Sequence, residues 1–182
     1  QDVIGLHFFS PANIMKLLEI VRADKTDKSV LATSIALAKK IGKKAVVSGV
    51  CDGFIGNRMV NTYLTSANQL VLAGALPQQV DKALEKFGFA MGPYRMSDLA
   101  GLDIGWAIRK RRAAENPGQD FSSVSDKLCE AGRFGQKTGA GFYRYDPVTR
   151  KPSVDPIVEQ LIAEYRESKG VVARKITEQE II

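Results

Sequence analysis

Two mostly apolar runs and one stretch with apolar residues at helical spacing predict a short α/β segment at the beginning of the chain. Both runs have the length of a strand, and the turn sequence SPAN separates them. Apolar residues then recur at the spacing of a helix face, and a β-branched run follows. The predicted elements are strands at residues 2–9, 15–23 and 43–49 and a helix that Thr26 or Asp27 caps and Gly42 ends. This order is typical of the end of an α/β domain that contains parallel strands.

Helical patterns dominate from about residue 51 onward. Gly74 and Gly88 are placed where they can end helices, and Pro77 is placed in a first helical turn. The predicted helices cover residues 54–73, 77–87, 91–100, 102–116, 122–133 and 157–170, and a glycine-rich stretch with a short extended piece covers residues 134–146. The sequence therefore predicts an α/β remnant at residues 1–51, a mainly α domain at residues 52–147, and a proline-rich linker with the start of a truncated second helical domain at residues 148–182.

The composition is that of a globular protein that could bind an anionic partner. Of 182 residues, 45% are hydrophobic and 25% are charged, and no apolar run approaches the roughly 18 residues that a membrane-spanning helix needs. The formal net charge of +6 allows a phosphate-bearing partner such as coenzyme A or a nucleic acid. The densest basic run, at residues 108–112, is interpreted as a solvated helix face, because the clustered aromatic residues of single-strand binders are missing. We therefore expect neither a nucleic-acid partner nor insertion into a membrane.

Cysteine and histidine usage argues against a metal site. Cys51 and Cys129 lie far apart and match no metal-ligand spacing, and His7 is the single histidine of the chain. Two such cysteines are typical of a protein from a reducing, intracellular compartment. We expect no metal.

The single histidine and a nearby glutamate are the strongest candidates for chemistry. His7 lies near the end of a predicted strand, where α/β sheets place their ligands, and Glu19 lies on the next strand. A carboxylate in the apolar run KLLEIV is costly to bury unless it has a partner, and the imidazole is a natural one. Such a pair leaves the second ring nitrogen able to take a proton. The neighbouring aromatic residues Phe8, Phe9 and Phe54 are interpreted as core residues.

Four blocks of the chain occur in the order of one known family. They are GLHFFSPANIMKLLEIV at residues 5–21, CDGFIGNRMV at 51–60, MGPYRMSDLAGLDIGW at 91–106 and RFGQKTGAGFYRYD at 133–146. Through these blocks the chain resembles the L-3-hydroxyacyl-CoA dehydrogenases of fatty-acid β-oxidation. The resemblance implies that residues 1–51 are the last strands and helix of a Rossmann-type NAD domain and that residues 52–147 form the family's helical substrate-binding and dimerisation domain.

The resemblance also implies roles for individual residues. His7 matches the catalytic base that takes the proton of the 3-hydroxyl group, and Glu19 matches its partner carboxylate. Asn57 matches an asparagine that contacts the substrate near the reacting carbon. Ser10 and Lys137 match positions beside the NAD cofactor. The implied substrate is an acyl-CoA.

Two parts of the family pattern are missing from the sequence, and one of them is a hydroxyl-bearing residue on a strand that precedes the histidine. The glycine-rich G-x-G-x-x-G fingerprint, which holds the pyrophosphate of a dinucleotide, does not occur here. The extension after Asp146 is more similar to the multifunctional β-oxidation enzymes, in which a hydratase domain precedes the dehydrogenase and a second helical domain follows it. We therefore expect a fragment of such an enzyme that is inactive alone, with an incomplete NAD site.

Function, assembly and location stay open at this stage. A non-catalytic helical dimerisation or interaction module is the alternative function, and a single-function 3-hydroxybutyryl-CoA dehydrogenase is the alternative within the family. The helical domain is expected to be able to form a homodimer through apolar helix faces. The implied location is the bacterial cytoplasm or the peroxisome.

Overall fold

The three longer strands lie among the first 49 residues, and helices dominate from residue 56 onward, as the apolar pattern predicts. The computed structural model describes residues 2–182. The strands are β1 (Gly5–Phe8), β2 (Leu17–Arg22), β3 (Lys44–Gly49), β4 (Arg144–Tyr145) and β5 (Pro152–Ser153). The helices are α1 (Lys28–Lys40), α2 (Gly56–Ala73), α3 (Pro77–Phe87), α4 (Pro93–Ala100), α5 (Leu102–Glu115), α6 (Val124–Glu130), a 3-10 turn (Gln136–Thr138), α7 (Pro156–Ser168) and α8 (Glu178–Ile181).

The chain packs into two units that divide between Tyr63 and Leu64, within α2. This division follows from packing alone, and the domain boundaries predicted after residues 51 and 147 stay predictions. No helix within residues 2–182 is both long enough and apolar enough to cross a membrane.

The first unit contains a three-stranded sheet in the order β1, β2, β3. β1 and β2 are antiparallel, whereas β2 and β3 are parallel and are connected through α1. One face of the sheet packs on α1 through a core that includes Leu18, Ile20 and Ala38, all fully buried. Of the two predicted caps the structure has Asp27, whose carboxylate accepts the Ser29 N–H at 2.8 Å. The α/β prediction for this segment is confirmed.

Two buried aspartates of the second unit, Asp81 and Asp98, hold the backbone at the start of α4 and just before β4. Asp81 of α3 accepts the N–H groups of Tyr94 and Arg95 at 2.9 and 3.0 Å, and so caps the start of α4. A side chain at Gly92 would overlap the backbone and carboxylate of Asp81. Gly92 therefore allows α3 and the start of α4 to approach each other closely, in addition to separating two helices along the chain.

Asp98, in α4, is the second buried aspartate that binds backbone N–H groups of another segment. Its carboxylate accepts the N–H groups of Phe142 and Tyr143 at 2.9 and 3.0 Å and the Tyr145 hydroxyl at 2.9 Å. A side chain at Gly141 would overlap this carboxylate. Asp98 therefore fixes the glycine-rich stretch and β4 against α4.

The extension after residue 147 is part of the second unit. Arg166 of α7 donates to the backbone oxygens of Val71, in the last turn of α2, and of Ala75, just beyond the end of that helix. The Arg174 N–H donates to the Ala73 oxygen at 2.9 Å. These bonds satisfy carbonyl groups that the end of a helix leaves without partners, so the extension caps the C-terminus of α2.

The interpretation of Phe8, Phe9 and Phe54 as core residues is wrong, because none of the three side chains is buried. Phe8 points to the surface and is 38% exposed. Phe9 and Phe54 are half-buried, and their rings contact His7. The physical reason is that these rings cover a partly exposed polar side chain instead of joining the apolar core beside α1.

We expect a pH-dependent contribution to stability from Asp98. Burial raises the pKa of Asp98 from its ordinary value of 3.8 to about 6. The hydrogen bonds to its carboxylate act in the opposite direction but are outweighed. The folded state therefore holds this proton more tightly than the unfolded chain, so the stabilisation that protonation gives is lost as pH rises through 6. In an NMR titration, the amide signals of Phe142 and Tyr143 should shift with a midpoint near pH 6.

The amide of Ser29 is the control for this titration. It donates to Asp27, whose pKa is lowered by hydrogen bonds from Ser29. Its signal should move at lower pH than the signals of Phe142 and Tyr143. A midpoint at or below that of Ser29 for those two amides would contradict the raised pKa of Asp98.

Candidate active site

His7 and Glu19 lie opposite each other in the β1–β2 ladder. The antiparallel register pairs the two residues directly, and adjacent side chains on one face of such a pair lie close enough to bond. His7 Nδ1 is 2.6 Å from Glu19 Oε2. The contact predicted between the two side chains is therefore present.

The Glu19 carboxylate is held from two directions. It is fully buried, and its Oε1 atom accepts the N–H groups of Ile55 and Gly56 at 2.9 and 2.8 Å. Those groups lie at the N-terminus of α2, where backbone N–H groups have no partner within the helix and the helix dipole favours a negative charge. The buried carboxylate therefore has a hydrogen-bond donor on each of its oxygens.

Electrostatics keep Glu19 ionised. Burial acts to raise its pKa, but hydrogen bonds from the Gly56 N–H, the His7 ring and the Ile55 N–H together lower the pKa below its ordinary value of 4.5. An ionised carboxylate only accepts hydrogen bonds, so Nδ1 of His7 carries the proton of the 2.6 Å bond. In the neutral imidazole the lone pair then lies on Nε2.

Nε2 is the ring nitrogen of His7 that is not bonded to Glu19. The His7 side chain is 31% exposed, and Nε2 has no hydrogen-bond partner within residues 2–182. Such a nitrogen can accept a proton from a bound molecule while Glu19 stabilises the imidazolium that forms. This geometry meets the requirements of a general base that a carboxylate orients.

Sequence reasoning missed the backbone of residues 55 and 56. Gly56 stands where a Cβ atom would lie 2.6 Å from Cζ of Phe9, whose ring centroid is 4.8 Å from that of His7. The signal in the sequence is a glycine that opens a long helix, at a position where glycine is not otherwise favoured. The glycine lets the helix start approach both the carboxylate and the ring beside the imidazole.

Ser10 follows His7 closely along the chain, and Asn57 follows Gly56, whose N–H binds Glu19. Asn57 is in the first turn of α2, next to Gly56, and Ser10 opens the loop between β1 and β2; both are exposed. Lys43 holds that loop through the backbone oxygens of Ala12 and Met15. The roles expected of Asn57 with substrate and of Ser10 with cofactor stay predictions.

Lys137 lies in the second unit, in the 3-10 turn. Its Nζ atom is 2.5 Å from Asp103 Oδ1, and this hydrogen bond holds the pKa of Asp103 below its ordinary value. Both side chains are about half exposed. Lys137 therefore has a structural partner in Asp103. The contact of Lys137 with a cofactor stays a prediction.

Family comparisons agree with the two kinds of structure in the chain. Residues 1–52 match the model of the NAD binding domain of 3-hydroxyacyl-CoA dehydrogenase. Residues 53–145 match the model of the C-terminal domain of the same family, which is more than half of the chain. This chain belongs to the 3-hydroxyacyl-CoA dehydrogenase family.

Full-length relatives are much longer than this chain. The peroxisomal bifunctional enzyme of Danio rerio is 49% identical over 100% of this chain, which spans 27% of that relative. The fatty acid oxidation complex subunit alpha of Pseudomonas entomophila is 39% identical over 92% of this chain and 25% of its own length. The dehydrogenase part of multifunctional enzyme 1 from C. elegans has a TM-score of 0.72 and 32% identity, covering 98% of this chain and 40% of that one. The chain thus spans about a quarter of the curated relatives' length.

The residues present fit NAD only in part. A dinucleotide needs an anion site for its pyrophosphate, commonly the N-terminus of the helix that follows a strand. The helix that follows β3 is α2, and its first N–H groups are already bound to Glu19. The start of α2 is therefore not available to a pyrophosphate, and Asp27 already binds an N–H group at the start of α1, the helix that follows β2.

We expect the substitution Gly56→Ala to disturb the pair without removing either member. The new methyl group would overlap the Phe9 ring, so the ring or the helix start must move. Overpacking of this kind typically costs about 1–3 kcal/mol of unfolding free energy, which denaturant unfolding would measure.

Gly49→Ala is the matched control for that substitution. Nothing lies within 4 Å of a Cβ atom at Gly49, and its backbone is in strand β3. The control should unfold within about 1 kcal/mol of the unsubstituted chain. Equal unfolding free energies for the two alanine variants would show that the Phe9–Gly56 contact has no energetic weight.

Proposed function

We propose that this chain supplies the acid–base pair for oxidation of an (S)-3-hydroxyacyl-CoA to a 3-oxoacyl-CoA in fatty-acid β-oxidation. The observation that carries the proposal is His7, whose Nδ1 is bonded to an ionised, buried Glu19, whose side chain is 31% exposed, and whose Nε2 is unpartnered within residues 2–182. Membership of the dehydrogenase family supports it. A helical interaction module would have no need of such a pair.

The proposed roles follow from the charge of each group. His7 Nε2 takes the proton of the substrate's 3-hydroxyl group, and the imidazolium that results remains bonded to Glu19. Glu19 stays ionised because its pKa is lowered, so it stabilises the charge without taking the proton. Asn57 holds the reacting oxygen through its side-chain amide, which does not titrate.

NAD is the proposed cofactor, and when bound it accepts the hydride from the substrate carbon. Ser10 and Lys137 are the proposed contacts to it in this chain. Because the fingerprint is absent from the sequence and the start of α2 binds Glu19, the pyrophosphate must be held by residues outside this chain. Residues 1–182 alone are accordingly proposed to lack turnover.

Location and assembly are proposed from the relatives and the surface. The most similar curated relative cited above is a peroxisomal enzyme and the other is bacterial, which supports the peroxisome or the bacterial cytoplasm. Leu99, Ile104 and Ile108 are exposed on α4 and α5, which supports a homodimer through the helical domain. Light scattering that gives only the monomer mass at micromolar concentrations would refute the dimer.

The decisive experiment measures NADH formation from an (S)-3-hydroxyacyl-CoA by the longer enzyme that contains these residues and a dinucleotide-binding segment. His7→Gln should lower kcat by about 10²–10⁴-fold, because a general base is lost, and should change KM little. Residues 1–182 alone should produce no NADH.

Two carboxamide variants separate the partner role of Glu19 from a general loss of charge. Glu19→Gln removes the ionised partner of His7 and should also lower kcat. Glu178→Gln removes an exposed carboxylate of α8 that pairs with Lys86 and should leave kcat unchanged. Unchanged turnover in His7→Gln would make the histidine structural and would leave the interaction module as the better function.

A further inference from the structure

Phe54 has a backbone conformation that residues with a side chain rarely adopt. Its φ angle is +46°, and the preceding Gly53 has a φ angle of +77°. Within residues 2–182, Arg150 is the one other non-glycine residue with a positive φ. Glycine would take this conformation with less strain. A strained residue of this kind beside an active site suggests that its side chain has a function there.

The backbone of Phe54 aims the donors that hold Glu19. The Phe54 N–H donates to the Cys51 oxygen at 3.3 Å, and the Cys51 thiol lies 3.6 Å from the Phe54 oxygen, so residues 51–54 close a tight turn. The next two N–H groups, of Ile55 and Gly56, both donate to Glu19 Oε1. The turn therefore delivers two adjacent donors to one buried oxygen atom.

The ring of Phe54 contacts the other member of the pair. Its centroid is 5.5 Å from that of the His7 imidazole, with the planes inclined by 55°. Phe9 contacts the same imidazole at 4.8 Å, inclined by 56°. With Nδ1 bonded to Glu19, two ring contacts and one hydrogen bond restrict the rotation of a side chain that is otherwise partly exposed.

We propose that Phe54 is a positioning residue, whose backbone orients the carboxylate and whose ring orients the imidazole of the pair. Its value for turnover rests on the proposed function, but the ordering itself is a property of the folded chain. One residue thus couples the start of α2 to the orientation of Nε2. A glycine at this position would supply the turn without the ring.

The test uses the fact that His7 is the single histidine, so nitrogen NMR of labelled imidazole reports this residue alone. The unsubstituted chain should show one tautomer, with the proton on Nδ1 and in slow exchange with water. Phe54→Leu, which keeps the backbone constraint but removes the ring, should lose the slowly exchanging signal and move the ring nitrogens toward a mixture of tautomers. Phe54→Tyr should retain the pattern of the unsubstituted chain.

Two further variants make the result decisive. Phe8→Leu is the matched control, because Phe8 is on the same strand as His7, is exposed and has no ring contact with it among residues 2–182. Its spectrum should equal that of the unsubstituted chain. Phe54→Gly accepts the positive φ without strain, so it carries the test if the leucine variant does not fold; the Ile55 and Gly56 amides should stay protected while the imidazole becomes disordered.

Unchanged imidazole signals in both Phe54→Leu and Phe54→Gly would overturn the proposal. Loss of amide protection at Ile55 and Gly56 in the glycine variant would also overturn it, since the turn rather than the ring would then be responsible. Neither result depends on turnover. Failure of the proposed function shows instead as an ordered His7 in a longer enzyme that forms no NADH.

Discussion

A buried carboxylate that must be compensated determines the arrangement of the first unit. Glu19 lies in an apolar strand with no exposed surface, and an unpaired charge there would cost several kcal/mol. N–H groups at the start of α2 bind its Oε1 atom, and His7 binds its Oε2 atom, so both oxygens are compensated. Because each donor has to reach the same group, the carboxylate sets the register of β1 against β2 and the place where α2 begins.

The second unit uses buried carboxylates in the same way but with a different electrostatic result. Asp98 accepts only neutral donors and lies near Asp81, and burial raises its pKa to about 6. Glu19 bonds to an imidazole that can carry a positive charge, and its pKa is lowered. Asp98 holds loop backbone in place, whereas the bond between Glu19 and Nδ1 of His7 leaves the Nε2 atom able to accept a proton. The different partners of the two carboxylates account for the opposite shifts of their pKa values.

α2 shows how side chains from distant parts of the sequence satisfy the ends of a helix. Glu19 accepts N–H groups at its beginning, and Arg166 donates to the carbonyls of Val71, in its last turn, and of Ala75, just beyond its end. A negative charge at the N-terminus and a positive charge at the C-terminus both match the helix dipole. The extension after residue 147 therefore has a structural role in this chain, whatever further modules the longer relatives contain.

The sequence by itself determined the α/β start, the helices after residue 51, and the pairing of His7 with Glu19, because apolar periodicity and the cost of an isolated buried charge are local properties. It could not show that Ile55 and Gly56 hold the carboxylate, since backbone N–H groups look alike in every sequence. Nor could it show why Gly92 and Gly141 are glycines, or that Phe54 adopts a positive φ. Those features depend on which segments approach each other, and only tertiary packing decides that.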